Sequence, residues 1–406
     1  MPTSPENISR LREFFGYAAP LESEAPEEAE EHLNLFLREA YHDVEAPLET
    51  LRRFYQVKKA LHRARLENFT RRVFWALRRW RARRLVRSGE LQQAEPHRPA
   101  WPVDDTLEQL KLQMLERVIG DRESIEILWF WPDGKRWVLV LTHDVESARG
   151  LERIHRLMEV EERYGFRSSF NLVPFKYEVP EALVQEIRGR GFEVGIHGYN
   201  HDGLLFIDEA EFVRRLPAIR EVAQRWNARG FRSPSTLRRI GWLERLPVEW
   251  DSSCFDTDPF EPQPGGVLSW FPYRLGPLVE LPITLPQDHL VFRLLGHRDL
   301  HLWQSKARKI REAFGMVLLN VHPDPGYMAD DDLLPLYEEF LAWMKDFGDE
   351  LWNPRPLDLA RWWNHRLDLL RKSVQDKRFH TPWGTALQRR VRVTQVGEKR
   401  KLEVLP

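Results

Sequence analysis

Asp144, Glu146, His197, His201 and His322 are side chains that bind metals or move protons, and each stands where an apolar run stops. Leu139-Val140-Leu141-Thr142 runs into His143-Asp144-Val145-Glu146. Phe192-Glu193-Val194-Gly195-Ile196 runs into His197-Gly198-Tyr199-Asn200-His201. Val317-Leu318-Leu319-Asn320-Val321 runs into His322-Pro323. One carboxylate and two imidazoles form the ligand set of a catalytic zinc site, which keeps a fourth position for water. The remaining carboxylate and imidazole are the groups that serve as base and acid. Alternate residues of an extended chain point the same way, so Asp144 and Glu146 can reach one site. His197 and His201, on a tight loop or a first helical turn, share a face at helical spacing.

Each piece has a plainer reading. A lone His-x-x-x-His is more often a pair of ordinary polar residues than a metal site. Asp144 and Glu146 suit the N-terminus of a following helix equally well. Arg232-Ser233-Pro234 ends a short apolar run, and its arginine either keeps a carboxylate ionised or forms a structural salt bridge. A histidine beside a proline turn, such as His322, is commonly structural. Joint occurrence changes the balance, because these groups fall at three predicted strand ends, in an order a barrel would bring together.

The elements that must gather them alternate between strand and helix from about Ile125. Strands are expected at Trp137–Thr142, Arg167–Val173, Phe192–Ile196, Phe231, Val248–Ser252, Val279–Leu285 and Val317–His322. Helices are expected at Leu151–Tyr164, Pro180–Arg190, Asp208–Trp226, Thr236–Leu246 and Leu333–Phe347. Such alternation specifies a parallel sheet or barrel, whose strand ends open on one face. Pro132-Asp133-Gly134-Lys135, between Ile127–Trp131 and Trp137–Thr142, predicts a hairpin.

The 406 residues divide into a partly basic helical extension over 1–124, a barrel over 125–350, and a C-terminal helix and tail over 351–406 that packs on the barrel. Glu22–Glu49 is acidic. Arg52–Arg87 is basic, with Phe69, Val73, Trp75, Ala76, Leu77 and Trp80 interleaved at helical spacing. The reading offers either peripheral contact of residues 71–87 with an anionic membrane or a helix packed on the barrel and neutralised by the acidic segment. Thr106–Ile119 is a further amphipathic helix, and Pro356–Lys372 another. The net charge of -1 gives no global field for a polyanion, so nucleic acid is not expected. The single cysteine, Cys254, excludes an intrachain disulfide. No apolar run reaches the length of a bilayer span, and no secretory signal pattern is read, so a cytoplasmic location is expected.

Taken together, five ordered elements resemble the polysaccharide deacetylases, carbohydrate esterase family four, also called the NodB-homology domain. They are Thr142-His143-Asp144-Val145-Glu146, His197-Gly198-Tyr199-Asn200-His201, Arg232-Ser233-Pro234, Trp250-Asp251-Ser252-Ser253 and Leu318-Leu319-Asn320-Val321-His322. The first departs from the family's usual pair of adjacent aspartates, since Val145 takes the second place and Glu146 follows. The resemblance implies an α/β fold, a distorted seven-stranded (β/α) barrel, and a metal-dependent hydrolase that removes an acyl group, usually N-acetyl, from an amino sugar. It implies one divalent ion, with zinc first, on Glu146, His197 and His201. It further implies Asp144 as base, His322 as acid and Arg232 as the partner of Asp144. Asp251, Asp288, His289 and Arg298 are expected to bind substrate, and Asp324 to raise the pKa of His322. Hydrolysis of a small cyclic amide and an inactive carbohydrate-binding barrel are the alternatives.

Overall fold

The computed structural model describes residues 67–94, 99–263, 265–371 and 378–406. The acidic segment Glu22–Glu49 and the beginning of the basic one lie outside these residues. Helix α1 spans Glu67–Ser88 and α2 spans Thr106–Ile119. Strand β1 is Ile125–Leu128 and β2 is Trp137–Val145. Every residue of β2 is buried, as expected of a parallel strand covered on both faces.

Strand β3 (Ser168–Leu172), β4 (Glu193–His197), β5 (Gly230–Arg232) and β6 (Trp250–Asp251) follow. Strands β7 (Tyr273–Leu275), β8 (Leu278–Glu280), β9 (Met316–Val321) and β10 (Leu351–Trp352) complete that sheet. Neighbours β2, β3, β4, β5, β6 and β8 run parallel, and β9 pairs with the other edge of β2. Beyond β8 the chain reaches β9, where Thr284 N and Leu285 N donate to Leu318 O at 3.3 and 3.1 Å. Those bonds close a ring of seven strands, the distorted barrel expected from the sequence. The distortion lies on one side. β2 and β9 hold register from Val138↔Met316 to His143↔Val321, whereas β5 meets β6 over Gly230↔Trp250 and Phe231↔Asp251 alone.

Helices α3 (Ile154–Tyr164), α4 (Glu181–Gly189), α5 (Glu209–Trp226), α6 (His301–Glu312), α7 (Leu334–Lys345) and α8 (Pro356–Arg371) accompany the strands. Local signals set several ends. The Asp208 side chain accepts from Glu211 N and caps α5, and Ser147 does the same for the one-turn helix Ala148–Leu151. The helix His301–Glu312 and a π-helical turn at His289–Leu295 have no counterpart among the expected elements. The expected helix Thr236–Leu246 shrinks to one turn, Ile240–Leu243, after a left-handed Thr236.

The hairpin is overturned. β1 pairs with β12 (Gly384–Val396), antiparallel from Ile125↔Val391 to Leu128↔Gln388, and not with β2. Beyond β1 the chain is pinned into the core. Trp131 stacks on Phe271 and its indole N–H donates to Phe314 O at 2.7 Å. With Phe130 and Trp131 anchored there, the chain cannot fold back alongside its own strand. β11 (Arg378–Thr381) and β13 (Lys399–Val404) flank β12 and form a second, four-stranded sheet.

Candidate metal centre and proton-transfer site

Strands β2 and β4, with β3 between them, end on the same face of the barrel, and residues at or just beyond those ends supply one cluster. Glu146, His197 and His201 each place a ligand atom within 4.8 Å of the others. His197 closes β4. Its Nδ1 donates to Arg232 O at 3.0 Å, which fixes the tautomer and leaves Nε2 as the lone-pair nitrogen. That Nε2 is buried and has no hydrogen-bond partner. Burial lowers His197 to about 4, so the ring is neutral near pH 7, as a metal ligand must be.

His201 is not on a helical turn. Its φ is +60°, and it lies in an irregular loop. Gly198, at φ +68°, starts the reversal, and a Cβ there would stand 2.5 Å from Pro234. The loop still turns the second ring back toward the first, with centroids 5.1 Å apart. His201 Nε2 is 3.0 Å from Glu146 Oε1. Although burial alone would raise it, Glu146 is held well below the ordinary carboxylate range, chiefly by His201.

Asp144 is deeper, only 3% exposed. Asn171 Nδ2 donates to its Oδ1 at 2.9 Å, and Asn320 Nδ2 to its Oδ2 at 2.9 Å. Arg232 Nη1 stands 3.3 Å from Oδ1. Burial raises an aspartate, but the neighbouring His197 and Arg232 outweigh it, and Asp144 sits at about 2. Because His197 is itself neutral near pH 7, the lasting positive charges are Arg232 and, farther off, His322. Arg232 is in turn held by Ser252 O at 2.8 Å and Ser252 Oγ at 2.6 Å. Sequence reading missed Asn171, Asn320 and Ser252. A signal existed for the two asparagines, since each interrupts an apolar strand and needs partners once buried. Gly195 is the across-strand partner of Asn171, and a Cβ on it would lie 2.1 Å from Asn171 Oδ1.

His322 follows β9, with Nε2 3.9 Å from Glu146 Oε1. Its partner is Asp288, not the expected Asp324. Nδ1 is 2.7 Å from Asp288 Oδ1, and the His322 backbone N–H donates to Oδ2 at 2.8 Å. Burial alone would lower this histidine, but Asp288 raises it to about 10. Asp324 instead accepts from Glu146 N at 2.8 Å and from the Ser147 hydroxyl, bracing the loop after β2.

The four expected substrate-binding residues scatter. Asp288 is buried against His322. Asp251 is wholly buried and accepts from Ser253 N and Oγ, both at 2.9 Å. His289 pairs with Glu261 at 2.9 Å, its ring 6.1 Å from that of His322. Arg298 is exposed, 3.8 Å from Asp332.

No family profile and no curated protein matches the chain. Solved structures similar to it include a protein from Mycobacterium smegmatis assigned as a polysaccharide deacetylase, with 19% identity, a TM-score of 0.49, and coverage of 59% of this chain and 94% of that one. Another, from Pseudomonas aeruginosa PAO1 and likewise assigned, has 17% identity and a TM-score of 0.45, covering 58% and 93%. The PuuE allantoinase has 15% identity and a TM-score of 0.45, covering 58% and 92%. At this site the roles of the residues rest on their own geometry.

Proposed function

We propose that this protein is a metal-dependent hydrolase that removes an acyl group, with N-acetyl foremost, from the nitrogen of an amino sugar. The observation that carries the reading is the lone, buried Nε2 of His197 beside Glu146 and His201. Ligand atoms around one zinc stand roughly 3–3.5 Å apart, within the span of this cluster. A divalent ion held there would polarise the acyl carbonyl and acidify the attacking water. Asp144, ionised and clamped by Asn171, Asn320 and Arg232, accepts the water's proton. His322, protonated through Asp288, gives a proton to the departing nitrogen from Nε2. A base held low and an acid held high are the two states such a reaction needs at its start.

The purified protein is expected to contain one equivalent of zinc or a similar divalent ion by elemental analysis. His197→Ala should lower that content to a small fraction while circular dichroism stays unchanged. A full equivalent retained in that variant would refute the ligand set. Release of acetate from chito-oligosaccharides, set against ring opening of cyclic amides, tests the substrate class.

A further inference from the structure

Helix α1 has two unlike faces. One packs on the barrel, where Ala82 is buried with Leu91, Leu290, Leu294 and Leu295. Arg78 Nη2 donates to Phe260 O at 2.9 Å, and Arg83 Nε donates to Leu294 O at 3.2 Å. The first bond fastens the helix to the segment after β6, and the second to the π-helical turn that follows Asp288. The opposite face carries Leu77 and Trp80, 60% and 61% exposed. Arg81 and Arg84 continue that face at helical spacing, and the Arg84 guanidinium lies 5.6 Å from the Trp80 ring centroid.

Arg79, Arg81, Arg83, Arg84 and Arg87 are all exposed, and none has a carboxylate partner among the described residues. The chain as a whole is nearly neutral, so five such arginines on one helix create a local field rather than a global one. Large apolar side chains framed by arginines are the pattern of a helix that lies in a membrane interface. The guanidinium groups pair with lipid phosphates while leucine and tryptophan enter the acyl boundary. A polynucleotide would engage the arginines through its phosphates but give Leu77 no apolar partner. No helix among the described residues is long and apolar enough to cross a membrane.

We propose that the exposed face of α1, centred on Leu77, Trp80, Arg81 and Arg84, docks this protein on the headgroup layer of an anionic bilayer. The full chain would be sedimented with vesicles of phosphatidylcholine alone or mixed with phosphatidylglycerol, at low and at high salt. Binding to the anionic vesicles alone, released by salt, is the expected result. Replacing Arg81 and Arg84 by serine should weaken partition by roughly fivefold for each arginine. Leu77→Ser with Trp80→Ser should also weaken it, which a purely ionic contact would not show. These positions are exposed, and circular dichroism checks that each variant keeps its fold. Equal pelleting with neutral and anionic vesicles would overturn the proposal. So would pelleting that ignores either pair of substitutions. A polynucleotide that displaces the protein from vesicles, with binding indifferent to Leu77→Ser and Trp80→Ser, would assign the face to nucleic acid instead. Dimerisation through the same face without lipid, seen by analytical ultracentrifugation, would assign it to a second copy.

Discussion

Asp144 on β2 and Asp251 on β6 are both buried in the same barrel, 3% and 0% exposed, yet their surroundings drive them in opposite directions. Asp144 has Arg232 at 3.3 Å and two asparagine N–H donors, and it is held at about 2. Asp251 stands in register with Glu280 on β8. Burial raises both of these carboxyls; Asp251 raises Glu280 further, whereas a hydrogen bond from Glu280 partly offsets the rise at Asp251, so the proton of the pair rests on Glu280. Arg232 reaches both neighbourhoods, but its guanidinium is bonded toward Asp144, Thr142, Asn320 and Ser252. Burial therefore does not decide whether a carboxyl can act as a base. The charge placed within a few ångströms decides it. Asp144 stands beside the histidine cluster with Arg232, whereas Asp251 is paired with Glu280 and Ser253.

The largest expected effect breaks this contrast directly. Asp144→Asn should lower turnover by about a hundred- to ten-thousand-fold while the variant stays folded and its metal content stays near that of the parent. Asp251→Asn, which keeps the side chain's shape at a position paired with Glu280 rather than with the histidine cluster, should leave turnover within a few-fold. Comparable losses of kcat in the two variants would show that both clusters take part in the reaction.

Arg232→Met sharpens the contrast by removing the charge and keeping much of the side-chain volume. Leaving a buried carboxylate without its cation typically costs about 3–5 kcal/mol, and urea unfolding would read that loss. Turnover should fall as well, because Asp144 would then be protonated at a higher pH. If the variant is as stable as the parent and as active near pH 7, the asparagines alone keep Asp144 ionised.

The smallest effect concerns pH. The folded pKa values of Asp251 and Glu280 lie above those of the unfolded chain. Their contribution to stability is therefore complete below the ordinary carboxylate range and declines as pH rises through the folded values. Glu280→Gln should remove one proton from that linkage. The decline of unfolding free energy with rising pH should then be shallower by up to about 1.4 kcal/mol per pH unit. An unchanged slope would mean that Glu280 is ionised in the fold.

Much of this molecule was readable along the chain. Period and length marked β2, β4, β9, α3, α5 and α8, because a strand or helix that buries one face needs its apolar residues at a fixed spacing. The same runs, ending in Asp144, His197 and His322, pointed to the strand ends that carry the site. Neighbours far apart in sequence were not readable. The hairpin reading failed at Ile127–Trp131 because a turn sequence reports local geometry, while β1 found its partner more than 250 residues later in β12.

Identity of a side chain and the work its surroundings permit are separate matters here. The sequence by itself determined which groups could bind a metal or move a proton, since composition and spacing fix the chemistry available at each strand end. Only the tertiary structure decided their states and partners. It gave His322 to Asp288 rather than to Asp324, braced the loop of Glu146 with Asp324, and withdrew Asp251 into a carboxyl pair. It also left one nitrogen of His197 without a partner. The physical reason is that hydrogen bonds and buried charges depend on distances of about 3 Å, and such distances between remote segments are set when the barrel closes.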